Sequence, residues 1–199
     1  MAPMTVDPER VQAFEHAAAF HDWLSQNHDQ QSEVWIRIFK VGSGTPSVTW
    51  KDAIPAALAW GWIDGVRKSL DEASFLQRFT PRGPKSSWSE INVAHAERLI
   101  AEGRMQPSGL KQVEAAKVDG RWEKTYRVKG AEVPDDLQAA IDAEPKAAAL
   151  FAVLTSQNRF ALIHRTNALK TEAGRKKKIA DLVAKLARGE TPYPQGKTA

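Results

Sequence analysis

The chain has 199 residues, of which 42% are hydrophobic and 26% are charged, a balance typical of a soluble globular protein. It contains no cysteine, which excludes disulfides, thiol nucleophiles and cysteine-ligated metal sites. No run of about 18 apolar residues occurs, so no membrane span is expected. The first residues lack the basic and apolar segments of a secretory signal, and we therefore expect a cytoplasmic protein.

Charge and tryptophan are unevenly distributed. Residues 1–133 carry 17 cations and 17 anions, whereas residues 134–199 carry 11 cations and 7 anions. All seven tryptophans precede residue 123. This contrast predicts an α+β fold with a small two-layer α/β domain at 1–125, a compact helical unit at 130–190 and a mobile tail at 191–199.

The first half of the chain alternates helical and strand patterns. Phe20, Trp23 and Leu24 have helical spacing and predict a helix over about 17–26. The β-branched and aromatic residues of 32–41 predict a strand that is partly covered on both faces. A helix then begins at the capping pattern formed by Thr49 and Asp52.

Two further strands are predicted at 62–68 and 74–82, joined by a turn. Ser87 and Glu90 form another capping pattern and predict a helix that ends at Gly103. A shorter helix is predicted at about 108–117.

The second half is predicted to be helical after a linker at 123–133. Pro134 and Pro145 each mark the start of a helix, and Thr155 or Ser156 caps another. The last helix has apolar residues at helical spacing and ends at Gly189.

The stretch 59–92 combines five cations with tryptophans and short polar residues. If its two strands pair, the cations converge beside a helix start, whose free N–H groups and dipole favour anions. Arginine adds planar, bidentate recognition of carboxylate or phosphate. The predicted binding residues are Arg67, Lys68, Arg78, Arg82, Lys85, Ser86, Ser87, Trp88, Ser89 and Asn92. The alternative is that Ser87 is only a cap and that the cations solubilise a strand edge, paired with Asp71 and Glu72.

Asp64 lies in the same stretch and has three possible roles. An Asp-Gly pair inside a strand pattern is typical of a bulge or turn. The carboxylate could instead orient Arg67 or Arg82, or it could be a weak catalytic candidate as a general base.

Other signals for a site are weaker. Trp60, Trp62 and Trp88 could line a ligand pocket, but tryptophans more often pack at the edge of a core. His16 and His21 are five residues apart, which is poor spacing for shared metal ligation on a helix. We expect no metal and no cofactor.

The segment 159–188 carries nine cations and two anions. A solvated helix face explains this best, and contact with nucleic acid or acidic lipid is the alternative. Since aromatic residues are not interleaved with the cations, nucleic-acid binding is expected to be weak and non-specific.

Two motifs in the stretch 59–92, WIDGVRK and RFTPRGPKSSWS, resemble the signature of the YdeI/OmpD-associated family of bacteriocin-protection proteins. VPDDLQAAIDAEP, SQNR and RKKKIADLVAKLARGE resemble its C-terminal region, so the likeness extends over about 14–190. The resemblance implies a YdhG-like N-terminal α/β domain and an OmdA-like helical domain. No reaction is firmly attached to this family.

These observations favour a non-enzymatic bacterial stress or bacteriocin-protection protein. Its partner would be an anionic small molecule or an acidic protein surface bound at 64–92. One alternative is a small-molecule enzyme that uses Asp64 and the same cations on a phosphate- or carboxylate-bearing substrate. The other is a weak nucleic-acid binder that uses the basic face of 159–188.

Overall fold

The computed structural model describes residues 5–128 and 130–196, and the chain divides into two compact units, Met1–Thr125 and Tyr126–Ala199. Unit 1 contains a sheet and helices, whereas the described elements of unit 2 are helices. The α+β class predicted from the sequence is confirmed.

The sheet of unit 1 has four strands in the spatial order β1-β2-β4-β3. Its elements are β1 (Val11–Gln12), α1 (Ala17–Asn27), β2 (Val34–Phe39), α2 (Trp50–Ala59), β3 (Trp62–Ser69), β4 (Ser74–Pro81), α3 (Glu90–Ala101) and α4 (Pro107–Val118). Strand β1 runs parallel to β2, and the other neighbours are antiparallel. The sequence did not predict β1, because two residues are too few to show a period.

Strands β3 and β4 pair as neighbours, which was the condition for the cations of 59–92 to converge. Their register shifts between Asp64 and Arg67. The Asp-Gly pair therefore marks a β-bulge, which was the first of the three roles considered for Asp64.

One face of the sheet packs against α1 and α2. Alternate residues of the strands point to this face, and together with the helices they form an apolar core that includes Phe20, Leu24, Ile36, Phe75 and Phe79. We call this side the inner face of the sheet. A second apolar cluster joins α2 to α3 and α4 and contains Leu58, Trp88, Leu99 and Val113.

Helices α2 and α3 of unit 1 each begin at a hydroxyl cap. The Thr49 hydroxyl accepts a hydrogen bond from the Asp52 N–H, as predicted. The cap of α3 is Ser89, which accepts from the Asn92 N–H, and not Ser87. The prediction of Ser87 was wrong because several serines precede this helix, and the pattern alone does not choose among them.

Unit 2 packs four helices around one apolar core. They are α5 (Asp135–Asp142), α6 (Pro145–Ala152), α7 (Ser156–Asn167) and α8 (Glu172–Ala187). The core contains Leu137, Ile141, Leu162, Leu182 and Leu186. Thr155 caps α7 through the Asn158 N–H, one of the two caps that the sequence allowed.

The segment 191–196, part of the tail at 191–199, contacts α7. Asn158 is buried, and its side chain exchanges hydrogen bonds with the backbone of Tyr193 at 2.8 and 3.0 Å. The Asn158 amide also donates to the side chain of Gln195 at 2.7 Å. The sequence pattern missed this because the contact joins residues 35 and 37 positions apart. Residues 197–199 of the predicted tail lie outside the described residues.

Among the described helices, none is both long enough and apolar enough to cross a membrane.

Candidate functional site

The two cations of β3 point to opposite sides of the sheet. Arg67 lies opposite Gln77, and its guanidinium stacks 3.7 Å from the centre of the Phe75 ring on the inner face. Lys68 lies on the outer face, with its ammonium 5.7 Å from the centre of the Trp35 ring. Successive strand residues alternate in direction, so neighbours in sequence cannot share this surface.

Arg78 of β4 lies opposite Trp35 on the outer face. Its guanidinium forms an ion pair of 2.6 Å with Glu33, which neutralises much of its charge locally. Lys68 and Arg78 therefore share a face from which Arg67 is excluded.

Arg82 is buried, with only 5% of its surface exposed. Its guanidinium stacks 3.6 Å from the centre of the Trp88 ring and donates to the Ser87 carbonyl at 3.2 Å. Trp88 is itself buried in the core between α2, α3 and α4. These contacts give Arg82 a structural role in fixing the loop before α3.

The polar residues before α3 also serve the loop. The Ser86 carbonyl accepts a hydrogen bond of 2.7 Å from Arg121, and Ser89 caps the helix. Asn92 is buried. Glu90 places a negative charge in the first turn of α3, where an anionic ligand would otherwise benefit from the helix dipole.

The five cations of 59–92 therefore do not form the single patch that the sequence suggested. The structure places them in four positions. Arg67 lies on the inner face of the sheet, and Lys68 and Arg78 lie on the outer face. Arg82 is buried against Trp88, and Lys85 is exposed on the loop. Alternation along strands and burial against tryptophan separate residues that lie close together in sequence.

Asp64 sits on the inner side of β3, opposite Phe79. One carboxylate oxygen accepts a hydrogen bond of 3.2 Å from the indole of Trp50. Burial raises the pKa of Asp64, while the Trp50 hydrogen bond and the positive charge of Arg82 partly oppose that rise. This position fits the role of partner to Arg82, and the role of general base stays a prediction.

A different part of unit 1 brings several polar side chains together around an open space. A cleft of about 410 Å³ lies between α1, α2 and the end of α3. Four polar residues line it: His21, Asp52, Arg104 and Gln106. Its apolar lining consists mainly of small residues, Ala17, Ala18, Pro55, Ala56, Ala59 and Leu99.

Local structure explains how each polar group reaches the cleft. His21 lies on α1, with its ring 5.4 Å from that of Trp60. Asp52 is in the first turn of α2, where the Thr49 hydroxyl donates to one of its oxygens at 2.6 Å. Gly103 adopts a positive φ of 66° that ends α3 and turns the chain so that Arg104 follows.

Close packing of α4 on α2 fixes the other side of the cleft. The Gln106 N–H donates to the Ala59 carbonyl at 3.0 Å. Gly109 allows this approach, because a Cβ there would lie 2.6 Å from the Met105 sulfur and would clash with the Ala59 backbone. The small side chains of α2 and the glycine of α4 thus shape the cleft together.

The sequence did not predict this cleft as a site. Asp52 was recognised only as part of a cap, and His21 only as a poor metal ligand. The four polar residues come from three segments of the chain separated by 31 and 52 positions, so no local motif connects them. The described ranges contain no cluster of three or more His, Asp and Glu side chains able to hold a metal ion.

Comparison with protein families adds an assignment to each unit. Residues 12–112, about half of the chain, match a domain of unknown function, DUF8412. The chain belongs to this family. Residues 130–189 match OmdA, the family described as Bacteriocin-protection, YdeI or OmpD-Associated. No curated protein and no solved structure gives a significant match.

The resemblance predicted from the sequence is thus confirmed, through the match of residues 130–189. The stretch 59–92, which carried much of that resemblance, lies inside the DUF8412 match. The cleft between α1, α2 and α3 also lies within the DUF8412 region.

Proposed function

We propose that this chain is a non-enzymatic binding protein acting in bacteriocin protection, and that unit 1 binds a small anionic ligand in the cleft between α1, α2 and α3. The bacteriocin-protection description of the OmdA match supports the general role. The observation that carries the ligand proposal is the convergence of Arg104, His21 and Gln106 on one apolar cleft. Concave apolar sites with a few converging polar groups are typical of small-molecule binding.

The chemistry of the lining favours a carboxylate. A guanidinium offers two parallel N–H donors that match the two oxygens of a carboxylate. An imidazole and a primary amide add further hydrogen-bond donors. The alanines leave space beside these donors for a short apolar part of the ligand.

The proposed anion site is therefore the cleft and not the stretch 64–92. Arg82 is buried against Trp88, and Arg78 is paired with Glu33. Arg104 pairs with Glu102 at 3.0 Å, but both side chains are well exposed, at 67% and 42%. An exposed ion pair of this kind contributes little and exchanges readily for a ligand.

A binding screen with a matched pair of variants tests the proposal. Small mono- and dicarboxylates and inorganic phosphate are compared for their effect on melting temperature, since a ligand that binds the native state raises it. We expect carboxylates to bind, and Arg104→Gln to weaken them by roughly tenfold or more, the loss of one charge-assisted contact. Arg98→Gln is the control, because Arg98 is also an exposed arginine near Glu102 but does not line the cleft.

Unchanged affinity in Arg104→Gln would show that the cleft is not the anion site. Equal losses in both arginine variants would indicate a general charge effect instead of a specific contact. If no carboxylate or phosphate binds, the proposed function is wrong.

A further inference from the structure

The cleft between α1, α2 and α3 contains a carboxylate as well as donors. Asp52 lines it from the first turn of α2, whereas Arg104 lines it from the segment after α3. The site therefore offers one negative and one positive group, carried by different elements of unit 1.

The two charged groups do not neutralise each other. Arg104 forms its ion pair with Glu102, and Asp52 accepts a hydrogen bond from the Thr49 hydroxyl. That hydrogen bond orients the Asp52 carboxylate and engages only its Oδ2 atom. A carboxylate has about four acceptor positions, so Asp52 retains capacity for a cationic ligand group.

The space beside these groups is small and largely apolar. Four alanines, Pro55, Leu99 and Gly103 form the remaining surface, and the volume is about 410 Å³. This lies near the lower end of the range for small-molecule sites. It suits a compact molecule with a short hydrocarbon part better than a nucleotide or a peptide.

We propose that the ligand is a small zwitterionic amino acid, with its ammonium group on Asp52 and its carboxylate on Arg104. This inference rests on the proposed function, since it names the chemical class of the anionic ligand in the same cleft. The hydrocarbon part of the amino acid lies on the alanines, while His21 and Gln106 donate to the carboxylate. Two opposite charges lining one cleft favour a zwitterion over a simple acid or a simple amine.

Matched ligand sets test the inference on the unaltered protein. Leucine is compared with 4-methylpentanoate and isopentylamine, and 5-aminovalerate with pentanoate and pentylamine. The members of each set have similar hydrocarbon parts and differ in their charged groups. We expect at least one of the two amino acids to bind about tenfold or more tightly than its acid or its amine, measured by calorimetry.

Two variants separate the charged contacts. Asp52→Asn should bring the amino acid and the matching acid to similar affinities, because it removes the contact with the ammonium group and the repulsion of the acid's carboxylate. An asparagine can still accept from the Thr49 hydroxyl, which preserves the start of α2. Arg104→Gln should weaken both the amino acid and the acid.

The outcomes distinguish this inference from the proposed function. If both acids bind as tightly as the corresponding amino acids, the inference is wrong but the carboxylate site stands. If neither the acids nor the amino acids bind, the inference is wrong, and the wider screen of carboxylates and phosphate decides the proposed function. If Asp52→Asn fails to fold, the comparison of matched ligands on the unaltered protein still decides the question.

Discussion

The surroundings of Asp64 change the pKa of its carboxyl group. It lies on the inner side of β3 next to the bulge, and burial raises its pKa above the usual value of 3.8. The indole of Trp50 and the charge of Arg82 act in the opposite direction but do not cancel the effect of burial. The charged form of Asp64 is therefore less favourable in the folded chain than in the unfolded chain.

This raised pKa predicts a pH-dependent effect of Asp64→Asn. In the unaltered protein, the pKa of Asp64 is 3.8 in the unfolded chain and higher in the folded chain. The free energy of unfolding therefore decreases as pH rises from below 3.8 to above the folded pKa. Asparagine does not titrate and can still accept from Trp50. The variant should therefore gain stability relative to the unaltered protein between pH 4 and pH 7, measured by urea unfolding at both values.

Asp71→Asn is the matched control, with the opposite sign. Hydrogen bonds from Ser74 lower the pKa of Asp71, so its carboxylate stabilises the fold above the usual value of 3.8 and loses that contribution as pH falls. Asp71→Asn should therefore lose stability relative to the unaltered protein as pH rises toward and through 3.8, and it should change little between pH 4 and pH 7. Identical pH dependence in the two variants would contradict the assignment.

At the scale of elements, the contact between α2 and α4 determines the shape of the cleft. Gly109 lies where α4 meets the end of α2, and Gly61 beside it has a positive φ of 75°. The same contact allows the Ala59 carbonyl to accept from the Gln106 N–H. A small residue at this crossing is needed for the two helices to approach so closely.

Gly109→Ala should therefore destabilise unit 1. The added Cβ would clash with the Ala59 backbone and lie 2.6 Å from the Met105 sulfur, so α4 would have to move. Overpacking of this kind costs about 1–3 kcal/mol. Chemical denaturation measures the change, and the same variant should bind carboxylates more weakly because Gln106 moves with α4.

Gly65→Ala provides the comparison for this prediction. A Cβ at Gly65 would lie 3.8 Å from its nearest neighbour, the Arg78 carbonyl, which is ordinary contact. Its effect on stability should be clearly smaller than that of Gly109→Ala. Equal effects would show that the α2–α4 crossing has no special steric requirement.

Across the whole molecule, the segment 159–188 is the most basic, and three of its nine cations form ion pairs with carboxylates in the described structure. Arg175 pairs with Asp136, Lys176 with Glu172 and Arg188 with Glu190. Arg159 donates to the Phe151 carbonyl at 3.2 Å and stacks on the Phe151 ring. These contacts reduce the positive potential that nine cations in this segment would suggest.

We therefore expect nucleic-acid binding to be weak and non-specific. Binding measured by fluorescence anisotropy with unrelated duplexes should be similar for all of them and should fall steeply between 50 and 200 mM salt, because phosphate contacts release counterions. The double variant Glu172→Gln, Glu190→Gln removes two of the partner carboxylates, and it should bind more tightly at low salt. Tight, sequence-dependent binding at physiological salt would contradict this prediction.

The sequence by itself determined the features that depend on neighbouring residues. Helix starts at Thr49 and Thr155, the β3–β4 hairpin and the Asp-Gly bulge each follow from short-range preferences of side chains and backbone. Repeated apolar spacing likewise identified α1 and α8. The family motifs are also local, and the sequence therefore predicted the OmdA resemblance.

Only the tertiary structure decided which side chains meet. The cations at 67, 68 and 78 are near neighbours in the hairpin, but strand alternation and the bulge place them on two faces, and packing against Trp88 buries Arg82. Conversely, Asp52 and Arg104 line one cleft because α2 packs against α3. Successive strand residues point to opposite faces, and the neighbours of a helical residue depend on how the helices cross. Closeness in the sequence therefore could not predict which residues form the site.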